Sequence, residues 1–191
     1  MLTDAIAASL VKSRLGTMPR WARNLALQVS RQYCARLDQI TPESAPILKT
    51  HDIYRHGRGH LAKYIFVYGD PLASALSARD VGQRKGDIWI EAHIYHLCGF
   101  GMPNDILQHD ILNYRGQIES WGNAEDVFTV HYDEIWDRSD ELSRFLGFPV
   151  ALPLRRQRTE RSLPAAYNKE LFDGLEGLSS SLRETALARA E

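Results

Sequence analysis

Three stretches place chemically able polar residues directly after apolar runs. Lys49-Thr50-His51 follows Ile47-Leu48, Gly69-Asp70-Pro71 follows Tyr64-Ile65-Phe66-Val67-Tyr68, and Tyr132-Asp133 follows Val127-Phe128-Thr129-Val130-His131. The β-branched and aromatic runs read as strands, so the polar residues stand at strand ends. Side chains alternate along a strand, so Lys49 and His51 face one side and Thr50 the other. An imidazole titrates near neutral pH and can take a proton from an attacking hydroxyl. An ammonium group beside it can stabilise charge gathering on a leaving oxygen. The pair suits a group-transfer reaction, although taken without the later motifs it reads sooner as two solvent-facing residues of a strand end.

The elements that must position these residues are legible in outline. Tyr64 to Tyr68 is apolar throughout and reads as a strand buried on both faces, as does Val127 to His131. A helix is expected to open at Pro71, since proline suits the first helical turn. Apolar recurrence predicts a helix over Arg23 to Leu37, and others near Ile88 to Leu97 and Ile106 to Trp121. Glu141 to Leu146 reads as a short helix closed by Gly147 and Pro149. Ala7 to Val11 fits either a first strand or the end of a helix. The tail from Lys169 to Ala190 reads as a helix interrupted near Gly174 and Gly177. Strands alternating with helices predict a parallel sheet covered on both sides, with ligands beyond the carboxyl ends of its strands. The expectation is one domain over residues 1–191, with a basic segment at 152–162 and a helical tail at 169–190.

Taken in order, these motifs resemble the sulfotransferase family from about Met18 to Arg158. That family shows a Lys-Thr-His at a strand end, then a strand leading into Arg-Asn-Pro and a helix serine. A Tyr-Glu-Asp follows later, with a helix ending Phe-Leu-Gly, here Phe145-Leu146-Gly147. The resemblance implies a three-layer α/β/α fold with a central parallel sheet, related to the P-loop nucleotide-binding folds. It implies transfer of a sulfuryl group from 3′-phosphoadenosine 5′-phosphosulfate to a hydroxyl of a carbohydrate or small metabolite, with no metal. By the same resemblance His51 is the base and Lys49 binds the donor near its bridging oxygen. Ser77 would contact the 3′-phosphate, and Tyr132 would lie against adenine; packing on the core is an equal reading for that tyrosine.

Two of the family's donor motifs are altered. The N-terminal phosphate loop aligns best with Gly16 to Leu25, where Pro19, Arg20 and Asn24 fit. Trp21 stands for its serine, Ala22 for its glycine and Arg23 for its threonine. The glycine normally lets backbone amides wrap a phosphate closely, so Arg20 and Arg23 are left to hold an anion at the helix start. The family arginine before Asp70 is replaced by Gly69. The run Arg155, Arg156, Arg158 and Arg161 is the candidate substitute, with Arg158 the preferred residue; a solvated turn is the alternative. A non-catalytic binding protein on a degenerate fold is therefore the rival function. A small P-loop kinase is disfavoured, because no Gly-x-x-x-x-Gly-Lys-Ser/Thr pattern is present.

Composition sets the outer limits. The chain has 191 residues with 23 basic against 24 acidic side chains, so a whole-surface field for nucleic acid is not expected. Neither a membrane-length apolar stretch nor a secretory signal pattern stands out, and a cytoplasmic protein is expected. Cys34 and Cys98 read as buried thiols. His93 and His96 share a helical spacing able to bind a metal, but a third ligand is not identifiable and no metal site is expected. The resemblance places Glu91, His93, His96 and Trp89 near an acceptor pocket, while His56 to His60 reads as a polar loop. Oligomeric state is not legible.

Overall fold

The computed structural model describes residues 2–16, 19–29, 31–33, 37, 44, 46–55, 62–155 and 163–189. The chain is mixed α/β and mostly helical, with two short pairs of parallel strands. It divides into two compact units, Met1–Thr50 with Glu134–Gln157, and His51–Asp133 with Arg158–Glu191.

In the first unit, α1 (Leu2–Leu15) and α2 (Arg20–Val29) precede β1 (Arg31–Tyr33) and β2 (Ile47–Lys49). The Ala7 to Val11 run is therefore helical, and Ala5, Ile6, Ala7 and Val11 are buried. The helix expected over Arg23 to Leu37 stops at Val29, because Arg31–Tyr33 leaves it to pair in parallel with Ile47–Lys49. A three-residue strand has almost no local signature; its pairing is a long-range event that overrides the helical recurrence. α6 (Ser139–Leu146) ends where Gly147 takes a left-handed conformation. Leu142 is wholly buried, and the Ser143 hydroxyl accepts from the Val150 amide at 2.9 Å. The Ser9 hydroxyl accepts from Ala151 at 3.0 Å, tying α1 to the segment after α6.

In the second unit, β3 (Tyr64–Tyr68) pairs in parallel with β4 (Val127–His131), from Tyr64 opposite Val127 to Tyr68 opposite His131. β4 is buried along most of its length, but β3 is mostly half-buried, short of the two-sided burial its apolar run predicts. α3 (Pro71–Lys85) follows β3 directly and α4 (Asp87–His96) follows α3 across one residue, Gly86. Gly86 has φ +91°, a conformation that a side chain would strain. Ile90 of α4 packs against Gly82 of α3, where a Cβ would come within 3.0 Å of it. α5 (Tyr114–Gly122) is shorter than the helix expected over Ile106 to Trp121. Asn113, with φ +53°, separates it from turns over the residues before it. α7 (Lys169–Ala188) runs unbroken through Gly174 and Gly177, which corrects the expected interruption. Asn168 caps its start, and Phe172, Leu175, Ser179, Leu182 and Ala186 form one buried stripe. That stripe outweighs the cost of two glycines, about 1 kcal/mol each. Ala75, Leu76, Ile90, Ile94, Ile106, Ile111, Phe172 and Leu175 pack as one core cluster, and Tyr68, Ile118 and Leu182 as another.

Among the described residues no helix is long and apolar enough to cross a membrane.

Candidate functional site

The parallel register of β3 and β4 has a direct consequence for the motif residues. Tyr68 and His131 are register partners, so Gly69-Asp70 and Tyr132-Asp133 leave the pair at the same edge. The Tyr68 and His131 rings meet edge to face, 5.3 Å between centroids. The Asp133 amide donates to His131 Nδ1 at 3.3 Å. The carboxylate of Asp133 lies 3.9 Å from the same nitrogen.

On the β3 side, Asp70 begins α3. Its carboxylate accepts from the Ala73 amide, and its carbonyl accepts from the Ser74 hydroxyl at 2.7 Å. Pro71 has no N–H to offer, so the start of α3 has few free donors and already holds a carboxylate. Ser74 is spent on the backbone. Ser77, half-buried, lies six residues into the helix from Pro71, about 9 Å along its axis. The Tyr114 hydroxyl donates to the Gly69 carbonyl and fixes the strand end. Burial pushes the Tyr114 phenol up, with Glu176 and Asp70 adding to the shift and Ser179 opposing it. Glu176 is itself raised, first by burial and then by Asp70. The α3 side of this edge is thus acidic, the opposite of what a phosphate seeks.

His51 belongs to this same unit and is held at both backbone and ring. The Gln117 amide of α5 donates to the His51 carbonyl at 2.8 Å and to the Leu97 carbonyl at 3.2 Å. The ring meets His93 of α4 nearly perpendicular, 5.2 Å between centroids. His93 in turn stacks on Trp89 at 5.0 Å, and the Lys85 ammonium lies 5.5 Å above the Trp89 ring. Next in sequence, Asp52 is 2% exposed. Its carboxylate accepts from the Ile53 amide at 2.9 Å and from the Cys98 thiol at 3.3 Å. Its carbonyl accepts from Trp121 Nε1 at 2.9 Å. Sequence reasoning missed Gln117, Asp52 and the Cys98 contact. A polar residue at an inward helical position was the available signal for Gln117.

The remaining expected residues belong to other elements. Lys49 ends β2 in the first unit and is exposed. Arg20, Arg23 and Asn24 occupy the first two turns of α2. Their segment follows helix α1, where the resembling phosphate loop would follow a strand, because the apolar run ahead of it is helical. Arg155 lies over the Trp136 ring at 5.7 Å, and Trp136 Nε1 donates to the Pro153 carbonyl at 2.8 Å. Arg156, Arg158, Arg161, Cys34 and the loop from His56 to His60 lie outside the described residues. Among the described residues no group of three or more His, Cys, Asp or Glu side chains could hold a metal ion.

No family model, curated protein or solved structure matches this chain.

Proposed function

We propose that the chain is a sulfotransferase-like protein of the cytoplasm that transfers a sulfuryl group from 3′-phosphoadenosine 5′-phosphosulfate to a hydroxyl of a carbohydrate or small metabolite. The observation that supports this reading is the common edge of β3 and β4, which carries the start of α3 and Tyr132 together. In the proposed reaction the acceptor oxygen bonds to sulfur as its proton passes to His51. The bond from sulfur to the phosphate oxygen breaks, and the bisphosphate leaves with that electron pair. The anchoring of His51 by Gln117 and His93 suits a base that must hold one orientation. Lys49 and Arg20 are assigned to the leaving group, Tyr132 to adenine and Ser77 to the 3′-phosphate. The same reading includes a three-layer fold around a central parallel sheet, supported so far as every described strand pairing is parallel.

A second reading, a non-catalytic protein on this fold, is favoured by one observation. The Asp70 carboxylate occupies the Ala73 amide at the start of α3, and glycine stands where the family has arginine. Calorimetric titration with adenosine 3′,5′-bisphosphate, alongside ATP with magnesium, separates these. Binding of the bisphosphate alone is expected for the transferase. Binding of neither leaves the degenerate reading, and binding of ATP alone overturns both.

A further inference from the structure

The ring that meets His51 is the end of a chain of contacts. The Lys85 ammonium, at the close of α3, lies 5.5 Å from the centre of the Trp89 indole. That indole stacks on His93 within 15° of parallel, 5.0 Å between centroids. His93 stands nearly perpendicular to His51, 5.2 Å between centroids. Trp89, His93 and His51 are all half-buried. Each of two imidazoles this close makes a proton on the other less favourable, because like charges disfavour one another. They titrate as a pair, and the first proton is held more tightly than the second.

The surroundings decide which ring takes the first proton. His93 lies in the last turn of α4, where the carbonyl end of a helix favours a cation. Trp89 offers it an aromatic face within the roughly 6 Å over which a cation is attracted. Lys85 opposes this, but it is exposed and water screens its charge. The other titratable side chains of α4 are Asp87, Glu91, Tyr95 and His96, of which the first three are exposed. Beside His51, the buried Asp52 carboxylate is engaged by the Ile53 amide and the Cys98 thiol, with the Arg55 guanidinium 3.9 Å away to offset its charge. α5 meets His51 with the uncharged amide of Gln117. We propose that His93 is a positioning residue for His51: the pair carries one proton over a wide range of pH, His93 holds it, and His51 stays neutral. The role of His51 as base rests on the transfer reaction proposed above, whereas the shared proton is a property of the two rings. For that reaction the base remains free at a lower pH than a lone histidine allows, so the acid limb of kcat/KM lies below the ordinary imidazole range.

Nitrogen NMR of the full chain with labelled histidine tests this, the two signals being assigned from His51→Gln and His93→Gln. In the wild type His93 is expected to titrate at the higher pH and His51 at the lower, separated by about one pH unit or more. In His93→Gln the His51 transition should move up by about one unit. Trp89→Leu removes the indole face and leaves both imidazoles in place, so the His93 transition should move down by about half a unit. The acid limb of kcat/KM should follow the His51 signal in each variant, which a loss of packing alone would not produce. A wild type in which His51 takes the first proton overturns the proposal. So does a His51 transition unmoved in His93→Gln, or a His93 transition unmoved in Trp89→Leu. If one variant fails to fold, the wild-type order of the transitions and the other variant decide. The titration reads the same in a chain without turnover, so a failed pair shows in the NMR and a failed transferase reading in the absence of product.

Discussion

The side-chain amide of Gln117 donates to the carbonyl of His51, 66 positions earlier in the chain, at 2.8 Å. The same nitrogen reaches the Leu97 carbonyl, and Gln117 is 8% exposed. One buried amide therefore joins α5 both to the segment carrying His51 and to the turn after α4. Gln117→Leu, close in volume, removes this donor from the His51 carbonyl, while the Leu97 carbonyl keeps the Asn113 side-chain amide at 3.1 Å. It is expected to destabilise the fold by about 1–3 kcal/mol. Urea denaturation measures this, and a loss within experimental error would show that water replaces the amide without cost.

His51 itself makes a separable prediction. His51→Ala is expected to lower turnover by about 10²–10⁴-fold while bisphosphate affinity changes only a few-fold. The reason is that a base acts on the acceptor proton and contributes little to holding the donor. An equal fall in turnover and affinity would make His51 a binding or structural residue instead.

Gly174 and Gly177 supply a test on the fold alone. Both lie on the exposed side of the unbroken helix α7, with nothing within 4 Å of where a Cβ would sit. Alanine should fit at each without strain and reduce the freedom of the unfolded chain. Each substitution is expected to stabilise by about 0.5–1 kcal/mol, and the pair to add, read as a raised midpoint of thermal unfolding. A destabilised double variant would mean that the helix bends or breaks there, as the sequence suggests.

That contrast shows where the sequence is informative. The β3 and β4 runs, the proline start of α3 and the glycine end of α6 are local signals, and each element forms where its residues predict. Gly174 and Gly177 mislead because a breaker's local cost is small beside a buried stripe four turns long. Arg31–Tyr33 is missed for the opposite reason, since three residues become a strand only through a partner fourteen or more positions away. The site follows the same division. The motif residues at strand ends are visible in sequence, as is His93 through its spacing with His96, while Gln117 of α5, which holds the His51 carbonyl, carries no motif. Nothing local announces that Asp52 receives the Cys98 thiol, whereas Asp70 directly before Pro71 is itself a local capping signal.

Two carboxyl groups set a pH dependence. Burial is the first cause raising Asp110, against opposing hydrogen bonds from the Arg115 and Tyr114 amides. Burial and then Asp70 raise Glu176. A carboxyl raised in the folded state binds its proton more tightly there than in the unfolded chain. Its contribution to stability is therefore present below the ordinary carboxylate range and is lost as pH rises through the raised folded value. Glu176→Gln removes one such group, so its urea stability should fall less than wild type as pH rises through and above the ordinary carboxylate range. A steeper fall in the variant would reverse the sign of the assignment.

Asp70 is where fold and proposed function pull against each other. Its carboxylate caps α3 by accepting from Ala73, a contact whose loss in Asp70→Ala should cost about 0.5–2 kcal/mol. Asparagine caps as well as aspartate, so Asp70→Asn keeps the helix start while removing the negative charge. If the 3′-phosphate binds beside this helix start, as the family resemblance implies, that charge opposes it. Asp70→Asn should then tighten adenosine 3′,5′-bisphosphate binding by about three- to tenfold, a gain of ~0.6–1.4 kcal/mol. It should do much less for a nucleotide lacking the 3′-phosphate. Adding Gly69→Arg restores the Arg-Asn-Pro of the family and supplies a charge-assisted partner, for a further gain of about 1.5–3 kcal/mol. Calorimetry on the two variants reads both steps. If neither variant tightens the bisphosphate while both remain folded, the start of α3 is not an anion site, and the assignment of Ser77 falls with it.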